Sequence, residues 1–207
     1  MIPARAALDA LREGNRRFVS ELSRGPGSRA RRHELPEGQE PFAIILGCSD
    51  ARVPAEIVFD QGLGDLFVIR VAGNIVAPSQ VGSVEFAAEA FSTRLVVVLG
   101  HSSCGAVHAT VEQLMRPSRE QSRNVGSIVE RIRPAVEGLL ERIPPLERSA
   151  LEYQAVRANI RMSADHLRHG SVVLEQLIQK DGLVVVGAEY SLETGVVDFF
   201  DGVPVAR

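Results

Sequence analysis

The chain has 207 residues, 45% of them hydrophobic and 24% charged, enough apolar content to close a core without disulfide staples. Its net charge of −3 and scattered arginines supply no electrostatic case for nucleic acid. No apolar run approaches the length of a membrane span. The charged residues Arg5, Asp9, Arg12, Glu13, Arg16 and Arg17 break up the start, so no secretory leader is expected there and the expected location is cytoplasmic.

In chain order, Leu8, Leu11, Phe18 and Leu22 predict an amphipathic helix over 6–22. Residues 23–40 are rich in Gly, Pro and Arg and read as a connecting loop, with Arg29-Ala30-Arg31-Arg32 as a solvated run. Phe42 to Leu46 is a short apolar run of the kind buried on both faces of a sheet. Pro54 suits the start of a short helix. Leu66 to Ile69 forms a second strand, and Val84, Ala87, Ala88 and Phe91 give a helix over 79–91. Leu95 to Leu99 is the clearest buried strand. Helices follow at 103–116, 124–141 and 150–179, then a strand at Leu183 to Val186 and an edge strand at Val196 to Phe200. Strands alternating with helices predict an α/β fold: a mainly parallel sheet of four strands with an antiparallel edge strand, flanked by helices. Residues 1–40 form an N-terminal helical arm and 41–207 the catalytic domain.

Ligands of such sheets bind beyond the carboxyl ends of the strands. Two strand ends carry unusual chemistry: Gly47-Cys48-Ser49-Asp50 and Gly100-His101-Ser102-Ser103-Cys104. They hold both cysteines of the chain, and a reducing compartment favours metal binding or catalysis over a disulfide. Two thiolates and an imidazole from Cys48, His101 and Cys104 suit zinc, and three protein ligands leave a fourth position open. Cys104 is expected in the first turn of a helix, where the dipole favours a thiolate. Asp50 has two readings: fourth ligand, or partner of Arg52 in a two-bond fork that keeps it ionised beside a metal-bound water of pKa ~7. A competing pattern, Gly100-x-Ser102, approaches the nucleophile elbow of serine hydrolases, but Cys104 stands where its last glycine belongs and no histidine follows the last strands.

Cys48-Ser49-Asp50-Ala51-Arg52 together with His101-x-x-Cys104 resembles the paired signature of the β-class carbonic anhydrases, over about residues 39–107. Gly187-x-x-Tyr190 supports the likeness. The resemblance implies zinc on Cys48, His101 and Cys104, with Asp50 joining it only in a closed form. It implies Asp50 and Arg52 as the catalytic dyad, and reversible hydration of carbon dioxide to bicarbonate and a proton by zinc hydroxide. It implies a homodimer or a dimer of dimers, the N-terminal helix wrapping the partner. By position, Gln39, Phe67, Ala72 and Phe86 would line the substrate pocket. A related zinc hydrolase acting on carbon disulfide or carbonyl sulfide is the alternative, because it shares these motifs. A bicarbonate-inhibited branch uses a Trp, an Arg and a Tyr; Arg70 and Tyr190 match, but Ile45 stands in the Trp position, so that pocket is expected to be incomplete.

Overall fold

The computed structural model describes residues 2–25, 36, 38–116, 122–141 and 144–204. The Arg29–Arg32 run lies outside them. Helix α1 spans Ala4–Val19, and its buried positions Ala4, Ala7, Leu8, Leu11, Gly14 and Asn15 recur at the spacings of one helical face. The helix stops three residues before Leu22, which is 70% exposed, because the chain turns through Glu21 at φ 58°. Leu22 therefore does not belong to the apolar face predicted for it.

Five strands follow: β1 (Ala43–Gly47), β2 (Leu66–Arg70), β3 (Leu95–His101), β4 (Val184–Tyr190) and β5 (Val197–Asp201). They lie in the order β2-β1-β3-β4-β5, the first four parallel and β5 antiparallel to β4. Every residue of β1 and of β3 is buried, as their unbroken apolar runs require. The short helix α2 (Ala55–Val58) is preceded by Pro54, and α3 covers Pro78–Ala90. Next come α4 (Gly105–Met115), α5 (Arg123–Leu140), α6 (Arg148–His169) and α7 (Val172–Lys180). The single helix predicted over 150–179 is two helices. The Gly170 amide closes α6 on the His166 carbonyl, and the Ser171 hydroxyl accepts the Leu174 N–H to cap α7.

Each face of the sheet carries its own core. On one, Ile44, Leu46, Val96 and Val98 meet Ile132, Val136, Ile160 and Leu167 of α5 and α6. On the other, Ile45, Val97, Leu99 and Val186 meet Leu8 and Leu11 of α1 and Phe59. The N-terminal helix thus covers its own sheet. Asn15, buried in α1, donates to the Val58 and Gly195 carbonyls and accepts the Val197 N–H, which ties α1 to the start of β5.

This topology has one switch point. The chain runs from β1 outward to β2, then returns past β1 to β3 and on to β4, so the crevice opens between the ends of β1 and β3. Gly47 is in register with Leu99, which sets Cys48 beside the last residues of β3.

Candidate metal centre

The Cys48, His101 and Cys104 ligand atoms all lie within 4.8 Å of one another, and all three residues are buried. Cys48 follows the last residue of β1, and His101 ends β3. Between His101 and Cys104 the chain turns through Ser103 at φ 54°, a left-handed conformation uncommon for serine and typical of functional turns. Cys104 is the N-cap of α4, one residue earlier than the first-turn position expected from sequence.

The donor set fits a metal ion. His101 Nδ1 faces the Ser102 carbonyl at 2.9 Å; a carbonyl only accepts, so Nδ1 carries a proton and Nε2 is the nitrogen left to offer a metal its lone pair. That Nε2 is buried and has no hydrogen-bond partner, a cost that a bound metal removes. The Cys48 thiol lies well below the usual range, first through its hydrogen bond with Cys104, against burial, and with help from His101 and the backbone of Asp50 and Gly73. The Cys104 thiol lies above it, because it holds the proton next to the Cys48 thiolate and is buried. The His101 imidazole is pulled down by burial but raised overall by Cys48, the Ser102 carbonyl and Asp50.

Asp50 stands at the rim, its Oδ2 3.8 Å from His101 Nε2. Arg52 grips it three times: Nε to Oδ1 at 2.9 Å, Nη2 to Oδ2 at 2.7 Å, and backbone N–H to Oδ1 at 2.9 Å. This grip holds the Asp50 carboxyl well below the usual range, against some desolvation. Both carboxylate oxygens are engaged by Arg52. Arg70 fastens the same loop from β2, donating Nε to the Cys48 carbonyl at 2.9 Å and Nη2 to the Asp50 carbonyl at 2.5 Å.

The four positions suggested for a substrate pocket fall in different surroundings within one chain. Ala72 begins a short 3₁₀ turn, Ala72–Asn74, whose next residue, Gly73, donates its N–H to Cys48 Sγ at 3.3 Å. Phe67 and Phe86 instead pack with Phe91, ring centroids 5.7 to 6.2 Å apart, and Phe86 is 56% exposed. Gln39 lines a surface cleft with Leu63, Gly64 and Phe91. The cavity touching Cys104, about 170 Å³, is walled by Ser103, Gly105, Val107, His108, Glu152 and Val156. His108 Nδ1 there lies 3.2 Å from Glu152 and 3.3 Å from Arg148.

Of the residues that address Cys48, sequence reasoning missed Gly73. Its signal was present: Ala72-Gly73-Asn74 follows the end of β2 as the two cysteine loops follow β1 and β3. The hydrolase-elbow reading finds no support. The Ser102 hydroxyl accepts the Leu192 amide proton, and the adjacent histidine turns Nδ1 to the Ser102 carbonyl instead of its hydroxyl. Among the described residues no helix is long and apolar enough to cross a membrane.

Fold and donor set together define an α/β protein with a three-ligand thiolate and imidazole centre at the switch point of its sheet. The chain belongs to the β-class carbonic anhydrase family: the family described as carbonic anhydrase matches residues 43–197. It is 40% identical over 192 residues to carbonic anhydrase 2 of Mycobacterium tuberculosis, covering 92% of this chain and 89% of that one. It is also 40% identical over 194 residues to a carbonic anhydrase of Mycolicibacterium smegmatis, covering 93% and 91%. The solved structure of the β-carbonic anhydrase CcaA superposes with a TM-score of 0.77 at 27% identity, covering 94% and 95%. These matches make the chain a carbonic anhydrase, a lyase of a zinc-dependent family, and do not favour the carbon disulfide or carbonyl sulfide alternative.

Proposed function

We propose that this chain interconverts carbon dioxide and bicarbonate, with zinc held by Cys48, His101 and Cys104 and with Asp50 and Arg52 as the groups that handle water. The observation that carries this reading is the buried, partnerless His101 Nε2 beside two cysteine sulfurs. Zinc bound there supplies Lewis acidity that brings the pKa of a water towards ~7.

The rest is the work of the chain. The Ser102 carbonyl fixes Nδ1 as the donor, so Nε2 is the nitrogen left to face a metal. Arg52 keeps Asp50 ionised and holds both of its oxygens, so that with zinc bound Asp50 would stay off the metal. An ionised carboxylate is an acceptor only, so a water beside it donates one hydrogen and presents its lone pairs elsewhere, towards carbon dioxide. In the closed form Asp50 would leave Arg52 and become a ligand itself. Ala72, next to Gly73, offers an apolar wall for a substrate that has no charge to grip.

Gln39, Phe67 and Phe86 serve this pocket from a second copy of the chain. The cleft of Gln39 and the exposed aromatic Phe86, both away from the Cys104 cavity, support that arrangement. The assembly is a homodimer or a dimer of dimers. Exposed Ile57, Leu63 and Phe86 support self-association, as does the fold shared with the two β-carbonic anhydrases of Sordaria macrospora described as tetrameric. Residues 1–40 contribute through the end of α1, where Val19 and Leu22 are exposed. The inhibitory bicarbonate pocket is incomplete: Ile45 is buried in β1, and Arg70 already donates to the Cys48 and Asp50 carbonyls. Two free thiols support a reducing, cytoplasmic location, and a net charge of −3 is unsuited to nucleic acid.

The test is stopped-flow hydration of carbon dioxide on metal-quantified protein. Zinc-loaded wild type should be active, while Cys48→Ala and Cys104→Ala should lose zinc and activity together. Wild-type protein that cannot take up zinc, or Cys48→Ala protein that keeps zinc and full activity, would overturn the assignment.

A further inference from the structure

Helix α6 reaches the turn beside Cys48 through a polar side chain. Asn159 is 1% exposed, and its Nδ2 donates to the Gly73 carbonyl at 2.8 Å. Gly73 sits in the turn Ala72–Asn74 and in turn gives its own N–H to Cys48 Sγ at 3.3 Å. The two bonds lie on opposite sides of one residue. Asn159 therefore governs where the Gly73 amide points, and that amide is a donor aimed at a ligand sulfur.

The turn depends on such a tether. Gly73 adopts φ 70°, and Asn74 follows at φ 43°, two left-handed residues in succession. A short excursion of this kind persists only when its surroundings over-determine it. A Cβ on Gly73 would lie 2.8 Å from Ile132 Cδ1 and 3.0 Å from the Ala106 Cβ, so the turn is pressed between α5 and the start of α4. The neighbouring Asn74 Nδ2 is buried without a partner, so it donates nothing that would hold the turn. Apart from the Cys48 sulfur itself, Asn159 is the only side chain among the described residues that hydrogen-bonds the Gly73 backbone.

We infer that Asn159 is a positioning residue of the metal centre, which holds the Gly73 N–H on the Cys48 sulfur and so sets both the orientation of that ligand and the electron density it offers the metal. An N–H donated to a thiolate withdraws charge from the sulfur, and groups that bond to metal ligands in this way alter affinity by about 10- to 100-fold. The inference rests on the proposed metal centre and adds to it a residue 55 positions beyond the last ligand in the chain, Cys104.

The experiment uses Asn159→Asp, which keeps the shape but places a carboxylate oxygen against the Gly73 carbonyl in place of a donor. Zinc affinity is measured by competition with a chelator. Cobalt(II) substituted for zinc reports the sulfur directly, through its thiolate charge-transfer band. A control, Leu167→Ala, removes a fully buried side chain from the same helix, away from the turn. Asn159→Asp should weaken zinc binding at least tenfold and move the cobalt band to lower energy, as the sulfur loses its donor. Leu167→Ala, compared at similar loss of thermal stability, should leave affinity and band where they are in wild type. If Asn159→Asp does not fold, Asn159→Ala is read by the same two measurements. A wild-type band and affinity in the Asn159 variant would overturn the inference, as would equal changes in Leu167→Ala. Failure of wild type to bind zinc would instead sink the metal-centre reading, so the two failures are distinguishable.

Discussion

Replacing Gly100 with alanine would put a methyl group where the structure has none to spare. Its Cβ would lie 2.5 Å from both Cδ1 and Cγ1 of Ile160 and 3.3 Å from Asn74 Oδ1. Carbon atoms rest at about 3.5–4.0 Å, so about 1 Å of separation must be found. Ile160 is fully buried on α6, and its β-branched χ1 is stiff within a helix. On its other side its Cγ2 lies near Gly187, where an added Cβ would meet it at 2.9 Å. Overpacking of this kind costs about 1–3 kcal/mol. For a domain of this size that corresponds to a fall in Tm of roughly 2–12 °C. Where the end of β3 yields instead, His101 moves with it, and a displacement near 1 Å at a ligand costs about 100-fold in turnover. Thermal unfolding followed by circular dichroism, at fixed protein and zinc concentrations, reads the first effect; stopped-flow hydration reads the second. Ile160→Ala alone should cost about 2–5 kcal/mol. Because it removes the clashing atoms, the double variant should be about 1–2 kcal/mol less unstable than the sum of the two singles. Strict additivity, or a Gly100→Ala protein with wild-type Tm and turnover, would refute the packing argument.

Asn in place of Asp50 should leave zinc content unchanged and lower turnover by about 100-fold or more, since the carboxylate acceptor is lost; a normal hydration rate would remove Asp50 from its role. Buried Asp60 accepts Arg17 Nε at 2.5 Å and the Arg24 and Gly25 amides, so Arg17→Ala should cost about 3 kcal/mol by leaving a buried carboxylate short of its cation. Desolvation pushes the Asp60 carboxyl up, but Arg17 and the two amides outweigh it and hold its folded pKa below the ordinary value. The stabilisation is then complete above about pH 4 and lost as pH falls through the lowered folded value. Acid unfolding of wild type should steepen in that window and Arg17→Ala should lose the step; identical acid profiles would show that Asp60 contributes nothing there.

Chemistry at strand ends was legible before any coordinates. Apolar runs bounded by Gly47-Cys48 and Gly100-His101 mark buried strands whose carboxyl ends carry metal donors, because parallel strands need both faces covered and leave function only at their ends. The motif spacing likewise placed Arg52 two residues from Asp50, within reach of the fork that the structure contains. Less legible was everything depending on a break or a distant partner. The single helix expected over 150–179 divides at Gly170 and Ser171, a local capping choice that a helical periodicity passes over.

The one-dimensional order of residues determined which atoms can bind a metal and the strand ends that carry them, since ligand type and apolar patterning are local properties of the chain. Only the tertiary structure decided that Cys48 meets His101, that the Ser102 carbonyl frees Nε2 to be the donor, and that Asn159, on α6, reaches back to Gly73. Such pairings are set by sheet order and by helices packed across the sheet, and no spacing along the chain encodes which residues those layers bring face to face.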